Sequence, residues 1–481
     1  EEGWMTTALW SQKIACTRDI SRRSARGPNA LRALALATCT ASLTSCSEVF
    51  RPPLGFATLT RAAFVFPGAN AQLAQPLRSP HKWNLAKIRG LRGGGQESAE
   101  MSLSGYLTPV QEMVDLVDAK PSPSMSVQPS SAGAHWVLML QPSAMLELED
   151  LAQEELKLAG TRLLAKFGTP SRRIGYKTIR LLHRASRQEY DIEGVPAGRI
   201  FDVRWAPTGL RVAFTVLTTE GLFLYTFTPQ ERKVSRAYEG ALSSAFASSF
   251  TWVAGGNSLL CNAIPADRAL LPQRPKVPSA PLAQACQAGN KAPARTYQDL
   301  LVDAHDEALF RHFSTTQVVH VDLAGAAPVR KIGKPGMAVY FKASPDASLV
   351  LLETLQEPLS RQVLWNRFAQ DVCLFSLETG QLHSTVAKLA LADSIPIGRD
   401  ACRTGPRRHC WRPDEAATLT WVEALDGGDP KAVVPHRDSF FIQNVADGSD
   451  PVELLRTQFR FSDVWWGGGL LDPWGGWPAV G

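Results

Sequence analysis

The residues best suited to metal chemistry in this chain lie close together, near its C-terminal end. Cys402, His409 and Cys410 offer thiol and imidazole ligands in a short stretch. Structural zinc sites take four such ligands from two halves, often C-x-x-C pairs. None of the eight cysteines belongs to a C-x-x-C pair, and Cys410 begins a predicted strand. The spacing favours reduced thiols in a reducing compartment and predicts neither a metal nor another cofactor.

A second group of chemically capable residues is His305, Asp306 and His312, which have the types needed for acid–base catalysis or metal binding. The surrounding sequence predicts a short helix through Gln298 to Phe313, followed by a strand at Gln317 to Leu323. Charged helix faces of this kind are usually solvated surfaces. The residues themselves therefore identify no catalytic, cofactor-binding or metal-ligating position.

The elements that would position any site are β-hairpins. In Asp202 to Leu217, DVRWAPTGLRVAFTVL, a strand ends at Trp205, a turn follows at Pro207 to Gly209, and a second strand runs from Arg211 to Val216. Similar phrases recur at Ser126 to Leu140, Phe250 to Cys261, Phe341 to Leu352, Cys410 to Val422 and Phe461 to Leu470. Further strands are predicted at Gly221 to Phe227 and Val372 to Leu377, and we expect Trp205 and Trp411 to anchor sheet cores.

Repeated hairpins that cannot bury their own apolar faces imply sheets stacked against one another. The pattern predicts an all-β fold, a β-propeller of about seven four-stranded blades that is possibly incomplete at the C-terminus. The turn prolines at 129, 207, 345 and 413 lie further apart than a regular repeat allows, which indicates loop insertions and one or two degenerate blades. A β-sandwich of ordinary hairpins is the alternative.

Three segments between the hairpins have other patterns. A short amphipathic helix is predicted after Thr108 and Pro109, with Val110, Met113, Val114 and Val117 on one face. The charged, Leu-rich stretch Glu147 to Ala165 is either a surface helix or a loop inserted in a blade. Ala266 to Ala294 contains five prolines and is predicted to be a long exposed loop.

The net charge of +6 is confined to the first 100 residues, which hold 13 Lys and Arg against 6 Asp and Glu. The remainder is neutral, so no nucleic-acid surface is predicted. No run of 18 apolar residues indicates a membrane span. Residues 1–100 resemble a disordered targeting leader for the plastid stroma, with an apolar segment at Leu31 to Leu43 and the sequence RAAFVFP at Arg61 to Pro67. The alternative is a disordered tail that carries no targeting signal.

Four longer stretches resemble the N-terminal half of the plastid glutamyl endopeptidases, in the prolyl-oligopeptidase family of serine peptidases. They are Tyr106 to Ala119, Thr296 to Phe310, Ala392 to Pro430 and Val433 to Phe441. The resemblance implies a β-propeller at 101–470 that filters peptides by size above an α/β-hydrolase domain, and a tail at 471–481 that does not continue the family. Implied partners are peptides or unfolded segments and that hydrolase domain, with no membrane contact in the mature protein.

Family members cleave peptide bonds with a Ser-His-Asp triad whose serine lies in a G-x-S-x-G turn. The chain contains no such motif, and Gly256-Asn257-Ser258-Leu259-Leu260 lacks the closing glycine. We therefore expect the catalytic domain to be absent and the chain alone to be inactive. A non-catalytic propeller that serves as an interaction scaffold is the alternative function, and the leader disfavours a secreted propeller of the translocation-protein type.

Overall fold

A computed structural model describes residues 109–277, 297–325, 328–396 and 398–466. The predicted leader at 1–100 and the tail at 471–481 lie outside these residues. In the first helix, α1 (Gln111–Val117), only Val117 falls in the same structural unit as the strands. This helix confirms the short helix predicted after Thr108 and Pro109, although Met113 and Val117 on its apolar face are exposed.

Apart from one separate two-stranded hairpin, the strands divide into five successive four-stranded antiparallel sheets. The first four are connected into one hydrogen-bonded ladder by two single residue pairs, Tyr176–Ile200 and Leu242–Ala263, and by one strand that two sheets share. Sheet 1 contains β1 (Ser124–Val127), β2 (Trp136–Pro142), β5 (Tyr176–His183) and β6 (Gln188–Asp191), and sheet 2 contains β7 (Arg199–Trp205), β8 (Val212–Leu217), β9 (Leu222–Phe227) and β10 (Ser235–Leu242). Sheet 3 contains β11 (Phe250–Trp252), β12 (Ser258–Ala263), β13 (Thr315–Asp322) and the first half of β14 (Arg330–Ala343). Sheet 4 contains the second half of β14, β15 (Leu349–Leu355), β16 (Gln370–Ser376) and β17 (Leu382–Leu389). Sheet 5 contains β18 (Arg407–Trp411), β19 (Thr418–Ala424), β20 (Asp438–Asn444) and β21 (Val452–Thr457).

The remaining elements lie in connections between these strands. A one-turn helix, α2 (Leu148–Leu151), and a hairpin of β3 (Glu155–Leu158) and β4 (Thr161–Leu164) join β2 to β5. The longer helix α3 (Ala304–Ser314) precedes β13 and begins later than the predicted start at Gln298. The stretch predicted as a surface helix or inserted loop is thus mostly a β-hairpin.

Consecutive sheets pack face to face because successive side chains of a strand point to opposite faces. In β8, Val212, Phe214 and Val216 contact sheet 1, whereas Ala213 contacts sheet 3. In β15 the same alternation places Leu351 against sheet 5 and Val350 against sheet 3. Each of the middle sheets therefore buries both of its faces, as a propeller blade does.

In each of three sheets, one tryptophan side chain donates a hydrogen bond to the preceding sheet. The indole Nε1 of Trp205 donates to the Ser126 carbonyl oxygen at 3.2 Å, and that of Trp252 donates to the Arg204 carbonyl oxygen at 3.3 Å. In sheet 5 the Trp411 indole donates to the carbonyl oxygen of Lys342 at 2.9 Å. Trp411 is buried, as predicted, while Trp205 is only partly buried.

The fold is a β-propeller, and the sandwich alternative is wrong because a sandwich gives each of its two sheets a single buried face. Five four-stranded sheets are present in the described residues, compared with about seven predicted blades. Five of the six hairpin phrases form the expected strand pairs. The sixth does not begin as predicted, because residues 461–466 form no strand. Phe461 instead stacks on Phe440, with ring centroids 5.0 Å apart.

Two glycines in equivalent turns allow a test of how tightly neighbouring segments pack. Gly380 and Gly448 have φ values of +71° and +65°. A Cβ at Gly380 would lie 2.1 Å from the Lys331 carbonyl oxygen, whereas one at Gly448 would meet no atom within 4 Å. We expect Gly448→Ala to cost about 1 to 2 kcal/mol for its left-handed backbone. Gly380→Ala should cost about 1 to 3 kcal/mol more, because of the added overlap. Equal losses on urea unfolding would contradict the packing at Gly380.

Candidate functional site at one end of the sheet stack

The two ends of the sheets differ in how their strands are connected. At one end, the hairpin end, the first strand of each sheet joins the second and the third joins the fourth through short turns such as 206–211 and 377–381. At the other end, the loop end, lie the long connections. These are 143–175 in sheet 1, 264–314 in sheet 3, 356–369 in sheet 4, 390–406 before sheet 5 and 425–437 within it. The longest connections between the strands therefore lie at the loop end.

Several of these loop-end connections share a hydrophobic core, which we call the cap core. Its buried residues are Leu158, Ala159, Leu163, Ala245, Leu301, Leu309, Phe310, Phe313, Met337, Leu355, Val363 and Phe368. Phe310 of α3 is fully buried, with ring centroids 4.8 Å from Phe246 and 5.5 Å from Phe368. Since the cap core draws on connections of sheets 1, 3 and 4, it holds these segments together as one packed layer.

The β3–β4 hairpin links sheet 1 to sheets that do not stack on it. The Gly160 amide donates to the Asp299 carbonyl oxygen at 2.8 Å, and the Trp365 amide donates to the Ala159 carbonyl oxygen at 3.0 Å. An ion pair between Arg162 and Asp299, 2.7 Å apart, adds to these contacts. Asp299 belongs to the connection of sheet 3 and Trp365 to that of sheet 4, so the hairpin joins a connection of sheet 1 to those of two non-adjacent sheets at the loop end.

A buried network of charges fixes the loop end of sheet 5. Asp426 accepts hydrogen bonds from Arg437 at 2.8 Å and Arg460 at 2.7 Å. Asp438 accepts hydrogen bonds from Arg407 at 2.6 Å and from Arg460 at 2.9 Å. Both carboxylates are almost completely inaccessible. Arg460 therefore ties the chain that leaves β21 to the connection before β20.

The pKa of the Asp426 carboxyl lies below its usual value. Burial alone would raise the pKa, but hydrogen bonds from Arg460 and Arg437 and from the Gly428 amide outweigh this effect. The carboxylate therefore remains ionised inside the protein. Sequence reasoning missed this network, whose only signal was the concentration of Arg and Asp in two of the stretches that resemble the family.

The cysteines and histidine considered as metal ligands make other contacts. His409 is buried and its Nδ1 lies 3.2 Å from a carboxylate oxygen of Glu353 on sheet 4. The Cys410 thiol lies 3.6 Å from the Thr420 hydroxyl, and burial raises the pKa of the Cys402 thiol. Within the described ranges, no group of three or more His, Cys, Asp or Glu side chains could hold a metal ion.

The second polar group is part of the start and the face of α3. Asp303 caps the helix by accepting a hydrogen bond from the Asp306 amide at 2.9 Å, and the Asp306 carboxylate accepts one from the Val302 amide at 2.9 Å. His312 packs edge-on against Phe313, and burial lowers the pKa of its imidazole. Asp303 is thus the N-cap and Asp306 its partner in the first turn of the helix, as the surface interpretation of this helix allows.

The structure also places two serines that bear on nucleophilic catalysis. Ser258 begins β12, whereas a G-x-S-x-G serine lies between a strand and a helix. The Ser186 hydroxyl lies 2.9 Å from His183 Nδ1 in an exposed turn at the hairpin end. In the described part of the chain, no carboxylate is found accepting a hydrogen bond from this histidine, so the pair lacks the orienting group of a triad.

Helices of the described segments include none with the length and apolar character that a membrane span requires. No protein-family model matches the chain. The stacked four-stranded sheets and their capped end define the class of the protein as a β-propeller with one elaborated face.

Sequence comparison identifies the family. A probable chloroplastic glutamyl endopeptidase of Oryza sativa subsp. japonica is 34% identical over 382 residues, which cover 76% of this chain and 40% of the relative. One from Arabidopsis thaliana is 31% identical over 402 residues, covering 78% of this chain and 41% of the relative. The chain belongs to the family of these glutamyl endopeptidases, and it spans about two fifths of their length.

Solved structures similar to the chain include two from archaeal peptidases. The β-propeller domain of the Trilobed protease of Pyrococcus furiosus has a TM-score of 0.35 at 8% identity and covers 69% of this chain and 72% of its own. An acylaminoacyl peptidase of Pyrococcus horikoshii has a TM-score of 0.34 at 11% identity, covering 66% of this chain and 38% of its own. The fold assignment rests on the strand order and stacking of the chain itself.

Proposed function

We propose that the chain is the propeller portion of a serine-type endopeptidase that cleaves after glutamate and that the propeller limits access to the active site. The observation that carries this proposal is the sequence identity with two chloroplastic glutamyl endopeptidases over more than three quarters of the chain. The propeller has no G-x-S-x-G serine of its own. The nucleophile, its base and the oxyanion hole would therefore come from an α/β-hydrolase domain in another part of the protein.

The layer formed by the cap core offers a physical basis for the selection of substrates in this proposal. Its β3–β4 hairpin is held by two backbone hydrogen bonds and the Arg162–Asp299 ion pair, to the connections of sheets 3 and 4. We infer that such a packed layer restricts access to peptides and unfolded segments, which are narrower than a folded protein. Peptides and unfolded segments are thus the proposed substrates.

The proposed location is the plastid, since both relatives are named chloroplastic. The acid-poor composition of residues 1–100 supports import by a transit peptide, and the stroma is the compartment proposed.

Peptide hydrolysis tests the proposed function. The chain alone should not cleave a fluorogenic peptide that contains glutamate. Co-expressed with the portion of the rice relative outside the matched region, it should cleave the peptide in a reaction blocked by a serine-directed inhibitor. It should leave a folded protein of the same glutamate content intact. Hydrolysis by the chain alone, blocked by the same inhibitor, would contradict the proposal.

A further inference from the structure

We propose that the groove between sheets 4 and 5 binds an extended peptide segment of another protein, and that Glu423 pairs there with a lysine or arginine side chain of that segment. The groove runs along the strands, from Gly448 and Pro451 at the hairpin end to Pro406 at the loop end. Because it belongs to the flank of two sheets, the proposal does not depend on the proposed function.

The groove lies at a junction that no backbone ladder crosses. Sheets 1 to 4 form one hydrogen-bonded ladder, whereas sheet 5 is a separate four-stranded sheet in the described residues. Side chains connect sheets 4 and 5 instead, as where the Trp411 indole donates to the Lys342 carbonyl oxygen at 2.9 Å. A cavity of about 440 Å³ remains between the two sheets. This volume falls in the range of ligand-binding clefts, roughly 300 to 1,000 Å³.

The walls of the groove combine an apolar floor with polar sides. Leu374 of β16 and Trp421 of β19 are buried and contribute to the floor. Polar side chains also line the groove, among them those of His383, Ser384, Thr385 and Gln443. An apolar surface with a few polar groups that orient the ligand is the usual composition of a binding cleft.

One wall of the groove is the edge of a sheet. β17 is the terminal strand of its ladder, and within the described residues it pairs only with β16. Alternate N–H and C=O groups of such a strand point outward and can pair with another extended chain. Because side chains of β17 line the groove, a peptide that pairs with this edge directs alternate side chains towards sheet 5. The geometry therefore selects an extended peptide.

The charge of the groove selects a basic side chain. Apart from His383, Glu423 is the only ionisable residue among those that line the groove in the described structure. One of its carboxylate oxygens accepts a hydrogen bond from the Trp421 indole at 2.9 Å, and it forms no ion pair with a described residue. The turn at the hairpin end of the groove adds two exposed acids, Asp447 and Asp450. An unpaired carboxylate in a partly buried cleft favours a cationic partner.

The depth of Glu423 in the groove selects a long side chain. Glu423 lies on β19, two strands in from the terminal strand β21. A peptide paired with the edge of β17 reaches this carboxylate only with a charge at the end of a long side chain. Lysine and arginine meet this requirement, and arginine can pair with both carboxylate oxygens.

Matched peptides test the proposal. Capped peptides that alternate valine and threonine carry arginine, glutamine or glutamate at their centre, and isothermal titration calorimetry measures their affinity for the full chain. We expect the arginine peptide to bind about tenfold more tightly than the glutamine peptide, which lacks the charge-assisted pair with Glu423. The glutamate peptide should bind more weakly than either, because its charge repels that of the groove.

Glu423→Gln isolates the effect of the carboxylate charge. The variant keeps an acceptor for the Trp421 indole, so the arginine and glutamine peptides should bind to it equally, within about twofold. The matched control is Glu220→Gln, in an exposed turn of sheet 2, which should keep the full preference for arginine. Because the preference is a ratio measured within one variant, a partial loss of folded protein does not alter it.

Hydrogen exchange locates the bound peptide. The arginine peptide should increase the amide protection of β17, because outward N–H groups of this strand become paired. Protection of other strands alone would contradict the proposal, as would a preference for arginine that persists in Glu423→Gln. It is also contradicted if the wild-type chain shows no such preference or binds no peptide at millimolar concentration. The hydrolysis experiment is independent of these outcomes, so the proposed function stands or fails separately.

Discussion

Replacing Asp426 with alanine should destabilise the protein by about 3 to 5 kcal/mol, because it leaves buried arginines without their carboxylate. Asp426 contacts Arg437 at 2.8 Å and Arg460 at 2.7 Å, and its side chain is inaccessible. Urea unfolding at neutral pH measures the loss. The matched control is Asp191→Ala, which removes an exposed partner of Arg180 at 2.9 Å. It should cost less than about 1 kcal/mol.

The effect of Asp426 should depend on pH in a definite direction. The pKa of its carboxyl is lower in the folded protein than in the unfolded chain, so its contribution is complete above the unfolded pKa. The contribution is lost as the pH falls through the folded pKa. The difference in unfolding free energy between wild type and Asp426→Ala should thus shrink only below about pH 4, near the ordinary aspartate pKa. A difference that grows on acidification would contradict the network.

The second large effect is expected for Trp411, which joins sheet 5 to sheet 4. Trp411→Ala removes a buried indole from a core shared with Leu349 and Leu374 and leaves the Lys342 carbonyl oxygen without its donor. We expect a loss of about 3 to 5 kcal/mol, as for other buried aromatic residues replaced by alanine. Trp411→Phe keeps most of the apolar contact and should cost about 1 kcal/mol for the lost hydrogen bond.

Trp205 is the matched control for Trp411. It makes the equivalent hydrogen bond to the preceding sheet, at 3.2 Å, but its side chain is only partly buried. Trp205→Ala should therefore cost less than Trp411→Ala in urea unfolding. Equal losses, or a loss below about 1 kcal/mol for Trp411→Ala, would show that these tryptophans do not anchor the sheets in the way described.

The blade hairpins could be predicted from sequence because their determinants are local. In Asp202 to Leu217, the Pro-Thr-Gly turn and the alternating apolar residues specify both strands, and Gly209 adopts the expected positive φ of 71°. The two-faced burial of β8 follows from the same alternation, since both sets of alternate residues are apolar or small. The propeller could therefore be inferred without any long-range information.

The cap core could not be predicted, because its contacts join residues that are far apart in the sequence. Leu158 and Leu163 lie in a stretch whose charges indicate a solvated surface, yet both are buried against residues of α3 and of the connection 356–369. The Arg460–Asp426 pair is likewise separated by many residues and has no local pattern. Sequence reasoning did recognise the family through long stretches of ordered similarity, and the comparisons confirm that recognition.

An experimental structure of the chain tests the central claim most directly, namely that five small sheets stack in sequence with their long connections packed at one end. Density should show the Trp205, Trp252 and Trp411 indoles donating to carbonyl oxygens of the preceding sheets, and the Gly160 amide donating to Asp299. Two large sheets facing one another, or a β3–β4 hairpin detached from the connections of sheets 3 and 4, would contradict the account.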